Sequence, residues 1–156
     1  MLSMESQGRL SLRFEDDGDG TGKLLAQAAS GGFSGEVGAW FSISELQSFA
    51  EAIAMFPVPE TNPPSIVGGF WKKDGSGDLE QQHLVLKVYP IDRKGHLGVQ
   101  IKIATELWDD ARPESQHKVE LEIVTSYEPL AKFARDLKAL AEGRIKDAIL
   151  EGDLLP

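Results

Sequence analysis

Two hydrophobic periods meet with almost no linker between them in residues 118–143, KVELEIVTSYEPLAKFARDLKALAEG. Val119, Leu121 and Ile123 alternate with Glu120 and Glu122, the two-residue period of a strand with one buried face. Leu130, Phe133, Ala134, Leu137, Leu140 and Ala141 then follow at helical spacing. This strand feeding a helix is the unit that the rest of the chain repeats or extends.

Alternation predicts a first strand over 9–15, with Leu10, Leu12 and Phe14 on one face, and a less regular second strand over 23–30. Between them Asp16, Asp17, Gly18, Asp19, Gly20, Thr21 and Gly22 supply the short side chains of a hairpin loop. A third strand spans 33–41, where Gly31, Gly32, Gly35 and Gly38 imply bulging or a close backbone approach. Ser42 with Glu45 then forms a capping box ahead of a stripe of Leu46, Phe49, Ala50, Ile53 and Phe56. Pro57 and Pro59 end that helix, and Pro63 and Pro64 keep the next loop extended. Further strands are predicted over 65–71, 84–89, 97–104 and 118–125, with polar loops at 72–82 and 108–116. In the tail, Ile145, Ile149 and Leu150 suggest a short final helix.

The expected fold is one α+β domain over residues 1–156, with residues 1–8 and 151–156 poorly ordered. Its mostly antiparallel sheet has about seven strands in the order βββα-ββββα, and two helices pack on one face. Leu46, Phe49, Ala50 and Ile53 follow Ser42 at the spacing with which Leu130, Phe133, Ala134 and Leu137 follow Ser126. Two accounts fit this echo: an internal duplication, or the period that any two amphipathic helices share. Both predict the same packing of helix on sheet.

Composition narrows the chemistry. The 156 residues include no cysteine, which excludes disulfides, thiol nucleophiles and Cys-ligated metal. A formal charge of -9 argues against nucleic acid and anionic membrane as partners, since both demand a basic face. No stretch approaches a membrane span and the amino terminus lacks a signal pattern, so a cytoplasmic protein is expected.

Several apparent motifs dissolve under inspection. The Asp17, Gly18, Asp19, Gly20, Thr21 run resembles a calcium loop, but Ala26 stands where the closing acid belongs and strands flank it. His83 and His117 fall near one end of a meander and His96 near the other, too far apart to share a metal, so they read as surface or turn histidines. Gly32, Phe33, Ser34, Gly35 lacks the helix of a nucleophile elbow. No catalytic, cofactor or metal residue is assigned. Trp40 and Tyr89 lie opposite the helix-facing residues of their strands, on a face that also carries Val85, Lys87, Gln100, Lys102, Glu120 and Glu122. The candidate partner-binding residues are Trp40, Trp71, Tyr89, Trp108, Asp109 and Asp110, because aromatic anchors dominate many interfaces.

The segments Phe33, Ser34, Gly35 to Trp40, Phe41, the Leu46/Phe49/Ala50 stripe, Gly95, His96, Leu97, Gly98, Val99, and Glu120 to Thr125 before Tyr127 and Leu130/Phe133/Leu137 carry a resemblance. Over residues 9–140 the chain resembles the WapI family of small bacterial proteins, some of which are immunity partners of polymorphic contact toxins. Where that family often has an acid and a glutamine before the last helix, this chain has Thr125 and Ser126. The resemblance implies a non-enzymatic protein that binds and neutralises a toxin. The alternative expectation is a small-molecule-binding or hydrolytic protein with a pocket between the sheet and the 57–65 loop. Under either, the chain is expected to be a monomer or a homodimer joined through a sheet edge.

Overall fold

A computed structural model describes residues 8–152. The strands are β1 (Gly8–Asp16), β2 (Thr21–Ser30), β3 (Phe33–Ser42), β4 (Ser65–Trp71), β5 (Leu79–Pro90), β6 (His96–Ala104), β7 (Lys118–Ser126) and β8 (Ala148–Gly152). Among the described residues the helices are α1 (Ile43–Ile53) and α2 (Tyr127–Ala141), and a 3-10 turn spans Pro113–Ser115. The α+β class, the antiparallel pairing and the two helices agree with the expectation. The expected single layer of about seven strands is instead, among the described residues, eight strands in two four-stranded sheets, ordered β3-β2-β1-β8 and β4-β5-β6-β7.

The division follows from where two strands go after their helices. β4 succeeds α1 yet joins the second sheet, and β8 succeeds α2 yet joins the first. Read from the strand that precedes each helix, the sheets run β3-β2-β1-β8 and β7-β6-β5-β4, the same βββαβ unit twice with the fourth strands, β4 and β8, exchanged. The registers agree as well: Thr21 pairs with Ser42 in one half and His96 with Ser126 in the other. The tail therefore supplies β8 rather than the expected short helix. Leu150 is buried, while Ile145 and Ile149 reach solvent. Gly8, Glu151 and Gly152 lie in paired strands; the expectation of poor order at 1–7 and 153–156 falls outside the described residues.

The sheets cross steeply. A Cβ on Gly35 of β3 would meet Val119 of β7 and Ile103 of β6, and one on Gly68 of β4 would meet Ala39 and Phe41 of the same β3. Within six residues, about 20 Å of strand at ~3.3 Å per residue, β3 thus passes from β7 to β4, three strand spacings or about 14 Å across the second sheet at ~4.8 Å each. β7 does the reverse, meeting Gly35 of β3 at Val119, Ser30 of β2 at Glu122, Gly8 of β1 at Ile123 and Gly152 of β8 at Val124. Small residues at these crossings let backbones approach where side chains would collide.

The inner faces and the helices form one core. Leu10, Leu12, Leu24, Leu84, Leu86, Leu97, Ile101 and Ile123 meet Leu46, Ile53, Leu130 and Leu137, all nearly fully buried. Phe49 and Phe133 are 4% and 3% exposed, and the two helices lie against each other. The capping box forms as expected: Glu45 N–H donates to Ser42 Oγ at 3.0 Å and Ser42 N–H to Glu45 Oε1 at 2.8 Å. Helix α1 stops at Ile53, so Phe56 leaves the stripe and is 77% exposed rather than buried. In the first hairpin Gly18 and Gly20 take φ of 84° and 90°, and Asp19 accepts from Thr21 N–H and Oγ1, as a turn requires.

Candidate functional site

At one end of the second sheet, the 72–78 hairpin and the 105–117 loop lie side by side. β5 begins at Leu79, so the polar loop predicted over 72–82 is shorter than expected and Gln81 and Gln82 belong to a strand. Gln81 then works as a clamp. Its Nε2 donates to the Leu107 carbonyl at 2.6 Å and its Oε1 accepts from Leu107 N–H at 3.0 Å, so a side-chain amide pairs with backbone as a neighbouring strand would. The same Oε1 lies 2.9 Å from His83 Nε2. His83 is buried rather than on the surface, because the bulge at Gly68/Gly69 turns it beneath Phe70. Burial lowers its pKa, a shift that the charge of Glu106 partly opposes.

Phe70 meets the His83 ring edge-on at 4.6 Å and the Trp108 ring at 5.2 Å. Trp108 is therefore held by a clamped loop above a packed aromatic, yet it is 66% exposed; Trp71, next to Phe70 along β4, is 62% exposed. Asp109 pairs with Lys73 of the hairpin at 3.7 Å, both groups almost fully in water, and Asp110 is exposed beside it. Residues 72–80 and 105–116 together carry seven acids and three bases, which makes this aromatic end acidic.

The structure thus carries Trp108, Asp109 and Asp110 on one loop, at the same end of the second sheet as Trp71, the last residue of β4, and leaves Trp40 and Tyr89 apart. Trp40 is 55% exposed on the outer face of the first sheet, in a row with Lys23 and Glu15. Tyr89 lies at the far end of β5, about 30 Å from Leu79 at ~3.3 Å per residue. Its ring covers Gly98 of the next strand, and its hydroxyl donates to Glu122 Oε2 one strand further on at 2.5 Å. Burial first, then the hydrogen bond and charge of Glu122, push its phenol well above the ordinary tyrosine pKa. Tyr89 therefore ties three strands of the outer face. Beside it Lys102 and Glu120 pair at 3.6 Å, the cross-strand charge pairing expected of that face.

Sequence reading missed a second arrangement near Tyr89. Asp92 Oδ2 lies 2.6 Å from His96 Nδ1, and Asp92 Oδ1 accepts from the backbone of Lys94 at 2.7 Å and His96 at 3.2 Å. Burial alone would raise the Asp92 carboxyl, but the bonds from the His96 ring and from the Lys94 and His96 backbone together hold it below the usual carboxylate range. The available signal was an aspartate and a histidine flanking the Gly95 turn four residues apart. His96 borders a cleft of about 650 Å3 formed by residues 56–61, the β5–β6 hairpin and Tyr127.

His83, His96 and His117 do not converge, and among the described residues no three His, Cys, Asp or Glu side chains are grouped to hold a metal ion. Among the same residues no helix is long and apolar enough to cross a membrane. Comparison of the chain with protein-family models, with curated proteins and with solved structures gives no match.

Proposed function

We propose that this chain is a non-enzymatic binding protein that engages a basic protein partner through the Trp71/Trp108 end of its second sheet. The observation that carries the reading is a pair of tryptophans 62% and 66% exposed, one of them on a loop clamped by Gln81 and both flanked by acidic loops. An aromatic held in place loses little conformational entropy on binding, and buried tryptophan anchors are among the side chains that dominate interface energies. The acids favour a cationic partner and speed its approach. The edge strand β4 carries Gly68, Gly69 and two register shifts, which makes addition of a further strand, including that of a second copy, unfavourable.

The WapI-like pattern supports an immunity-like role in which the partner is a toxin, met in the cytoplasm. The test is affinity capture from source cells by the wild-type chain and by a Trp71→Ser/Trp108→Ser double variant. One protein retained by the wild type, released at high salt and lost with the double variant is the expected result. Equal capture by the variant, or no captured protein at all, would overturn the proposal. The alternative of a small-molecule pocket beside the 57–65 loop has its own observation in the cleft around His96.

A further inference from the structure

The apolar wall of that cleft is made by Phe56, Pro57, Val58, Pro59 and Pro90. Its volume of about 650 Å3 falls within the ~300–1,000 Å3 of small-molecule sites. Phe56 is 77% exposed, yet its ring stands edge-on to Tyr127 at 4.8 Å and interplanar 72°, so it is placed rather than free. Val58 N–H donates to the Tyr127 hydroxyl at 3.0 Å, which seats the loop on α2 and leaves the hydroxyl its own proton to donate.

Arg93, His96 and Tyr127 face the same space. Among the described residues no carboxylate lies within 4 Å of the Arg93 guanidinium. Asp92 is occupied by the His96 ring and two backbone donors, and among the described residues Nε2, the other nitrogen of the imidazole, has no hydrogen-bond partner. Glu60 is the remaining acid of the lining, and its charge sets against a ligand carrying more than one negative group.

The other half of the chain shows that the fold does not require these groups. Thr21 holds the register position of His96, each opposite the serine that precedes a helix, and Ile43 holds that of Tyr127. Six residues join α2 to β8, whereas eleven join α1 to β4 and build the cleft wall. By contrast, the hollow on the outer face of the second sheet, of similar volume, is lined by Lys102 and Glu120, which pair with each other.

We propose that the cleft binds a small aromatic monocarboxylate. Its ring lies against Phe56, Tyr127 and the prolines, and its carboxylate is held by the Arg93 guanidinium and the Tyr127 hydroxyl, with His96 Nε2 beside it. This site is separate from the Trp71/Trp108 surface and stands or falls independently of it.

The test is an amide NMR titration of the full chain with benzoate, phenylacetate and indole-3-acetate, with neutral phenylacetamide as the control. The expected result is saturable shifts at Arg93, His96 and Tyr127 with at least one carboxylate, and at least about tenfold weaker binding of the amide, the scale of one charge-assisted contact. Arg93→Gln, a change at an exposed side chain, should weaken the carboxylate about as much while leaving the rest of the spectrum unchanged. No saturable shift with any carboxylate up to about 10 mM, equal binding of the amide, or undiminished binding by Arg93→Gln would overturn the proposal.

Discussion

Gly35 of β3 and Val119 of β7 meet where the two helix-preceding strands cross: a Cβ on Gly35 would sit 2.8 Å from Val119 Cγ1. The contact joins the two halves of the pseudo-repeat and fixes how closely the sheets approach. Gly35 lies outside the positive-φ region, so its role is space rather than backbone freedom. An alanine at an unstrained, roomy site adds about 0.4–1 kcal/mol through the unfolded chain. Here overpacking should win, and Gly35→Ala is expected to cost about 1–3 kcal/mol in urea unfolding. Val119→Ala removes the colliding methyls, so the double variant should recover part of the loss; a strictly additive cycle would show that the crossing is not the cause.

His83 predicts how stability responds to acid. Its folded pKa is lowered by burial, so between the folded and unfolded values the unfolded chain binds the extra proton. The contribution is intact above the unfolded value, about 6.5, and is lost as pH falls through and below it. Urea midpoints of the wild type should drop between neutral and mildly acidic pH. The drop should be smaller in His83→Phe, which removes the titrating group but can still pack against Phe70. An identical pH dependence in both would refute the assignment.

The two capping serines are predicted to differ. Ser42 accepts from Glu45 N–H at 3.0 Å within a complete capping box, so Ser42→Ala should cost about 1 kcal/mol. Ser126 occupies the same place before α2 but makes no side-chain capping bond, so Ser126→Ala should change stability by less than about 0.5 kcal/mol. Thermal unfolding of the two variants side by side decides the matter, and equal losses would contradict it.

Most local elements were legible because each announces itself over a few residues. The alternation of Val119, Leu121 and Ile123, the stripe of Leu130, Phe133 and Leu137, and the Ser42/Glu45 pair depend only on side-chain period and on unpaired backbone donors at a helix start. Phe56 was misread because the period continued past the point at which α1 ends, and Ala148–Gly152 because five residues are too few to distinguish one turn of helix from a strand. At the candidate site Trp71, Trp108, Asp109 and Asp110 could be named from composition. Nothing local showed that Gln81 clamps Leu107, or that Tyr89 is tied to Glu122.

The sequence by itself determined the class of fold, the two helices and which side of most strands is apolar, since these follow from hydrophobic period and capping chemistry near in the chain. Only the tertiary structure decided that β4 and β8 change sheets, that β3 and β7 cross the opposite sheet on Gly35, Gly8 and Gly152, and that Asp92 and His96 stand beside Tyr127 and Phe56. The physical reason is that strand partnership is settled by contacts between segments far apart in the chain. Any apolar strand could satisfy its hydrogen bonds in either sheet, and the choice falls to the packing of one shared core.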